Sequence, residues 1–320
     1  MSEQAAAVVF GEALVDAFGS VLLPGGAPFN VACHLAALGL PPLMITRLGQ
    51  DEAGWLLRDT AARFGLSLQA AQLEPHSARV DVHEREGGHV FEIPAGQAFD
   101  RIEAAAAAQA ATGTTAPGWL YFGTLALRGS ASRQALTALR AGRQQHAFVD
   151  LNWREAGPSP QVILDMLQGI EVLKLSDAEL DLVLGWLQLP SIPGVPAEGE
   201  QHAAMARLCA RFGARHLLVS HGADGAAAWD ATGCCVARAP ASPVPHLRDT
   251  VGAGDAFSAL MLAGLLLQRP LAVALADAVA FASLSCGWRG ALPADTALYQ
   301  PWRCRLGLAA PAAAIVPTSR

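Results

Sequence analysis

Short apolar runs of strand character alternate with helical patterns along most of this 320-residue chain. Val8 to Phe10 reads as a strand, Phe29 to Leu38 as a helix stopped by Gly39, Leu43 to Leu48 as a strand, and Glu52 to Phe64 as a helix stopped by Gly65. The rhythm resumes with strand Trp119 to Phe122, helix Ser132 to Gln144 and strand Ala147 to Asp150. Strand Val172 to Leu175, helix Asp177 to Leu184, helix Met205 to Phe212 and strand His216 to Ser220 follow. Two apolar helices, Asp255 to Leu267 and Leu271 to Ser285, close the pattern. Strand and helix in alternation predict an α/β fold, a central and mostly parallel sheet with helices on both faces. An apolar fraction of 52% supplies the large core that such a sheet needs. No internal repeat or linker divides the chain, and residues 1–320 read as one domain.

One section departs from this rhythm. Ala78 to Glu86 alternates apolar and polar residues, Gly87-Gly88 makes a turn, and His89 to Ile93 alternates again, a β-hairpin pattern. In an α/β chain it reads as a small β lid standing off the main body, formed mainly by about residues 78–93 with part of 11–24, or else as a plain surface excursion. Ala104 to Ala116 reads as a surface helix running into a loop, and Pro190 to Gly199 as a loop.

The segment Asp249-Thr250-Val251-Gly252-Ala253-Gly254-Asp255-Ala256-Phe257 says most about chemistry. It sets a small-residue turn directly before an apolar helix. Backbone N–H groups at a helix start lack partners and carry the positive end of the helix dipole. Gly252, Ala253 and Gly254 let an anion approach those groups. A loop that only bound phosphate would avoid Asp255 beside the anion, whereas a site that must also take a proton from a hydroxyl would want it there. The segment predicts phosphoryl transfer to an alcohol, with Asp255 as base and the turn amides holding the transferred group.

Four further stretches bear on this chemistry. In Gly25-Gly26-Ala27-Pro28-Phe29-Asn30 a glycine pair permits close backbone approach, Pro28 suits a first helical turn, and Asn30 offers donor and acceptor to a sugar hydroxyl. A plain loop-to-helix junction fits that stretch equally well. Asp150-Leu151-Asn152-Trp153-Arg154 lies past a strand's carboxyl end, where α/β sheets place ligands, and Arg154 could neutralise a phosphate or hold a carboxylate. Ser176 and Glu179 have the spacing of a capping box, and Glu179 could also hold Mg²⁺ through water. Ser220-His221-Gly222-Ala223-Asp224-Gly225 reads either as a nucleotide-contacting loop or as a tight hairpin turn into Ala226 to Trp229.

Other classes are disfavoured. A net charge of −6 and a pI near 5.8 come with no basic stripe for nucleic acid. No apolar run approaches the roughly 18 residues that span a bilayer, and Met1-Ser2-Glu3-Gln4 lacks the basic start of a secretory signal. Cys33, Cys209, Cys234, Cys235, Cys286 and Cys304 show no C-x-x-C spacing. They read as reduced thiols of a cytoplasmic protein, not as a zinc site or a disulfide framework. The histidines are scattered, and there is no Walker phosphate loop, dinucleotide fingerprint or nucleophile elbow.

Together these pieces resemble the ribokinase-type (PfkB) carbohydrate kinases over about residues 8–290. Gly25, Gly26, Asn30, Ala32, Gly39 and Gly49, followed by Asp51 and Gly54, match the N-terminal signature of that family, and Asp249 to Asp255 matches the C-terminal one. The resemblance implies a ribokinase-like fold and an ATP-dependent sugar kinase. It implies that Asp255 deprotonates the sugar hydroxyl and that the amides of Gly252, Ala253 and Gly254 form the anion hole. Asp16, Gly25, Gly26 and Asn30, with Asn152 and Arg154, would contact the sugar. Ser220, Gly222 and Gly225 would line the ATP site, with Lys174, Gly254 and Ser283 beside them, and Glu179 would help place Mg²⁺. Asp249 and the Val251 carbonyl would sit near a monovalent cation, commonly K⁺ in this family. The lid often builds a dimer interface in the family, and Val80, Val82, Val90 and Ile93 could supply its apolar face.

Within the family, Gly11 to Asp16 and Asp150 to Arg154 look most like fructokinases, so fructose is the expected acceptor. A kinase for 2-keto-3-deoxygluconate, with Arg154 as a carboxylate clamp, or for ribose or a nucleoside, is the alternative within the class. A non-catalytic sugar or nucleotide sensor on the same fold is the alternative outside it.

Overall fold

Among the described residues, eight strands form the central sheet. Their order is Cys235–Ala239, Ala226–Asp230, His216–Ser220, Val172–Ser176, His146–Asp150, Trp119–Phe122, Ala7–Phe10 and Leu43–Ile45. From His216–Ser220 to Leu43–Ile45 all neighbours run parallel. The strands at the other edge pair antiparallel. The coordinates are a computed structural model that describes residues 7–85, 88–112, 118–141, 146–189 and 198–308. Met1 to Gln4, Gly87 of the hairpin turn, the far ends of the Ala104–Ala116 and Ser132–Gln144 segments and most of the Pro190–Gly199 loop lie outside the described residues.

Successive strand residues face two different cores. Val8 and Phe10 enter one buried cluster and Val9 the other; Leu120 and Phe122 part from Tyr121, and Leu217 and Val219 from Leu218, in the same way. A strand covered by helices on both sides has an apolar residue at every position. Helices Ala27–Ala37, Ala253–Leu266 and Leu271–Ser285 cover Val9's face through Phe29, Leu35, Leu260 and Leu275. Helices Ser130–Ala141, Pro160–Met166, Asp177–Trp186 and Glu198–Phe212 cover the other through Leu136, Ile163, Val183 and Met205. This is the α/β architecture that the alternation of runs predicts. None of the described helices is long and apolar enough to cross a membrane.

The structure corrects several boundaries. The run Leu43 to Leu48 is two strands: Leu43–Ile45 belongs to the central sheet, and Arg47–Gly49 pairs with Gln72–Glu74 instead. The cause is Arg47, whose guanidinium meets the Glu74 carboxylate at 3.0 Å and has no place in a strand buried on both faces. Helices Ala27–Ala37 and Ala253–Leu266 each begin two residues before the pattern places them. Their opening residues are small or proline and carry no periodic apolar signal. After Ser220 the chain does turn back as a hairpin, with a short 3-10 turn at Gly222–Asp224.

A second sheet stands beside the first, in the order Val21–Gly25, Leu14–Phe18, Ala78–Arg85 and Gly88–Glu92. Its apolar side is used within the chain. Val80 and Val82 are buried in the same cluster as Phe10 and Phe122, with Ile93 packed against them, so they are not free to face a second copy. The side chain of Val90 lies outside what is described. Asp51 fastens this sheet to the body. Its carboxylate accepts from the Gly54 N–H, capping helix Glu52–Phe64, and from both the N–H and the hydroxyl of Ser77, directly before strand Ala78–Arg85. Asp51→Ala should lower unfolding stability in urea by about 1–2 kcal/mol, the usual cost of a lost N-cap.

Candidate active site

The parallel strands ending at Phe10, Phe122, Asp150 and Ser176 bring their following loops to one edge of the sheet. Brought to this edge is the start of helix Ala253–Leu266. Gly252 caps that helix with φ 78°, and a Cβ there would lie 2.4 Å from Ala291, so only glycine makes this turn. Of the three amides read as an anion hole, the one on Ala253 already donates to the Thr250 carbonyl at 3.2 Å and closes the turn. The Gly252 and Gly254 N–H groups find no acceptor among the described residues and remain available to an anion.

Asp255 sits in the first turn of this helix and accepts from Asn30 Nδ2 at 2.7 Å. Part of its surface stays open to a ligand, while the surrounding protein removes enough water to push its carboxyl up to about 7. Asn30 and Lys174 pull the other way, and Asp150 adds to the rise. A carboxyl balanced there can accept a proton near neutral pH.

Asn30 is one turn into helix Ala27–Ala37, whose N-cap Gly26 has φ 101°. A Cβ on Gly26 would strike the Glu12 carbonyl at 2.7 Å, and one on Gly25 would strike Asp16 Oδ2 at 2.6 Å. The glycine pair therefore lets Glu12 and Asp16 close on the helix that carries Asn30. Burial pushes the Asp16 carboxyl up to about 6 against the pull of Arg154. Arg154 itself is exposed, and its guanidinium donates to the Trp153 carbonyl at 3.0 Å. Asn152 has φ 40°, a left-handed backbone that a non-glycine residue adopts under strain, at the loop reaching toward this corner.

Behind the turn lies a buried ion pair. Lys174 Nζ donates to both Asp150 oxygens at 3.0 and 2.9 Å, and Ser258 Oγ donates to Asp150 Oδ2 at 2.8 Å. Burial works against both charges. The two-point contact marks the pair as ionised, and Asp150 and Glu179 hold the ammonium above the ordinary lysine range. Lys174 Nζ stands 3.1 Å from where a Cβ on Gly254 would be, so its charge lies directly behind the Gly252–Gly254 turn.

Other expected residues also make contacts within the fold. Glu179 completes the capping box with Ser176 and also accepts from the Trp153 N–H, tying the Asp150–Arg154 loop to the next strand. Asp249 accepts from the Val251 and Gly290 N–H groups and joins two loops beside the turn. The Ser283 hydroxyl donates to the Val279 carbonyl and accepts from Ser242 N–H, so it holds a loop and keeps one acceptor direction. The closeness at Gly225 is to its own chain: a Cβ would lie 2.0 Å from the Ala239 carbonyl. Gly222 faces open space, and Ser220 Oγ reaches the Leu175 carbonyl at 3.4 Å.

Sequence reasoning misses Asp150, Ser258, Tyr121 and Glu12 as site residues. Tyr121 OH reaches Asp150 Oδ2 at 3.4 Å. Glu12 had a readable signal, an acidic residue directly after an apolar strand. The others lie inside apolar runs and reveal themselves only through contacts distant in sequence. Lys174→Met should cost about 3–5 kcal/mol in urea unfolding by stranding the Asp150 charge. Adding Asp150→Asn should recover part of that loss.

The pfkB family carbohydrate kinase model matches residues 6–297. A fructokinase of Klebsiella pneumoniae is 32% identical over 286 residues, covering 80% of this chain and 83% of that protein. One from Escherichia coli is 29% identical over 283 residues, with the same coverage of 80% and 83%. Among solved structures, a Vibrio cholerae fructokinase bound to fructose, ADP and potassium aligns with a TM-score of 0.74 at 24% identity, covering 93% of this chain and 98% of that one. An aminoimidazole riboside kinase of Salmonella enterica aligns with a TM-score of 0.73 at 24% identity, covering 93% and 99%.

Proposed function

The chain belongs to the pfkB family of carbohydrate kinases and is an ATP-dependent sugar kinase, and we propose that it phosphorylates fructose on its O6 hydroxyl with Asp255 as the base. The observation that carries this reading is the Asn30–Asp255 contact of 2.7 Å beside the free amides of Gly252 and Gly254. Asn30 orients the acceptor hydroxyl, and Asp255 takes its proton as the oxygen attacks the γ-phosphorus. The bond from that phosphorus to the ADP oxygen breaks in line. The Gly252 and Gly254 amides and the helix dipole receive the charge that develops on the transferred group, with Lys174 behind them. The fructokinase relatives support fructose as the acceptor.

Among the described residues no three acidic, histidine or cysteine groups gather into an ion cage. Mg²⁺ fits this site as an ion carried by the nucleotide phosphates, which it neutralises when bound. Glu179 has three donors on its carboxylate and one acceptor direction left for a water on that ion. Asp249 and the Val251 carbonyl border the corner closed by the Asp249–Gly290 bond, and we assign a monovalent cation there. The small sheet acts as a lid: Asp16 stands on one of its strands, so closure brings a sugar contact with it and excludes water that would hydrolyse ATP.

Three outcomes test this. Asp255→Asn should lower turnover by about two to four orders of magnitude and leave ATP affinity intact, measured by coupled ADP release. Because the base must be ionised, kcat/KM for fructose should fall as pH drops through about 7 and level off above it. A panel of fructose, ribose, a nucleoside and 2-keto-3-deoxygluconate, run with and without K⁺, should give the highest kcat/KM with fructose. Sugar binding without ADP release for every member of the panel would instead establish a sensor.

A further inference from the structure

We propose that Glu12 binds a hydroxyl of the acceptor sugar directly, and that the carboxyl groups of Glu12, Asp16 and Asp255, set around the head of helix Ala27–Ala37, make the site select neutral sugars over acidic ones. The inference rests on Asn30 and Asp255 marking the sugar side of a kinase site.

Glu12 follows strand Ala7–Phe10 at the end of the sheet where the loops converge. Its residue surface is 1% exposed, and its Oε2 finds no hydrogen-bond partner among the described residues. Asn30 Oδ1 is in the same condition, on a residue 4% exposed whose amide nitrogen is already bonded to Asp255. A buried carboxyl oxygen without a partner is costly, and folded proteins keep one mainly where a ligand or a bound water completes it. Two such acceptors lie around one glycine pair. The Glu12 carbonyl abuts Gly26 at the head of Asn30's helix, and Asp16 abuts Gly25. A sugar hydroxyl donating to Glu12 Oε2 and another donating to Asn30 Oδ1 would satisfy both.

The charges argue for the kind of sugar. Arg154 attracts Glu12, Asp16 and Asp255 at once. Two other cations act here, Arg128 on Glu12 and Lys174 on Asp255, but they are already paired with Asp100 and Asp150, so among the described residues one free guanidinium faces three carboxyl groups and a sugar carboxylate entering here would meet net repulsion. A polyol brings hydroxyl donors and no charge. Burial pushes Glu12 up to about 7, so near neutral pH it serves such a hydroxyl as acceptor, or as donor once protonated.

The test uses the full-length protein, with Glu12→Ala, Glu12→Gln and Glu12→Asp compared with wild type. KM is measured for the best neutral sugar of the panel, for 2-keto-3-deoxygluconate and for ATP, with thermal melting to check folding. Glu12→Ala should raise the neutral-sugar KM roughly ten- to a hundredfold, the worth of a hydrogen bond involving a charged group. ATP KM should stay unchanged, and discrimination against the acidic sugar should narrow. If Glu12→Ala does not fold, Glu12→Asp, one methylene shorter with its charge kept, should show the same rise. Folded variants with unchanged sugar KM would overturn the proposal, as would a wild-type enzyme that prefers the acidic sugar. A different neutral sugar as best substrate would defeat the fructose assignment alone, and the Glu12 comparison would then be read on that sugar.

Discussion

The contact between Asn30 and Asp255 joins residues 225 apart in sequence, and the rest of the site is arranged around it. It ties the first turns of helices Ala27–Ala37 and Ala253–Leu266, which lie on the same face of the sheet, the first buried throughout and the second from Ala256 to Gly264. Each start is made possible by a glycine with positive φ, Gly26 on one side and Gly252 on the other. Neither position tolerates a Cβ, because the neighbouring chain is already in contact. The close fit fixes a carboxylate beside unpaired helix-start amides without letting the two helices drift apart.

Electrostatics gives that geometry its use. A carboxylate beside an anion site is unfavourable unless it can take up a proton, and partial enclosure raises Asp255 into the range where it does so. The raised affinity carries a stability term of known sign. The folded state binds the Asp255 proton more tightly than the unfolded chain does, so this group's stabilising contribution is present at low pH and is lost as pH rises through about 7. The ionised form that the proposed base role requires is thus the less stable one. Lys174, fixed by Asp150 and Ser258, adds a cation behind the turn without exposing it to water. Strain at Asn152, on the loop tied down by Glu179, belongs to the same corner.

Much of this arrangement can be read from the chain, and the limits have physical causes. Strands such as Trp119–Phe122 and His216–Ser220 are written as apolar runs because both faces are covered, and their boundaries match the pattern. The Leu43 to Leu48 run misleads because the apolar signal continues through Arg47, while the ion pair with Glu74 that diverts the backbone involves a residue far along the chain. The glycine-rich turn and its Asp255 stand out by composition. The internal bond that removes the Ala253 amide does not, nor do the loop contacts that occupy Ser283 and press Gly225 against Ala239. Small polar residues and glycines look alike in a sequence whether they face a ligand or their own backbone. Glu12 sits at the other limit: its isolation in an apolar stretch is visible, but its unpaired oxygen appears only once the fold encloses it.

In the proposed reaction Asp255 and the Gly252–Gly254 turn act together on one acceptor oxygen and one phosphoryl group. A crystal structure with the sugar, ADP, Mg²⁺ and aluminium fluoride tests it most directly. The fluoride should lie against the amides of Gly252 and Gly254, with the acceptor oxygen in line and within hydrogen-bond distance of Asp255. A fluoride bound away from that turn, or an acceptor oxygen out of reach of Asp255, would contradict it.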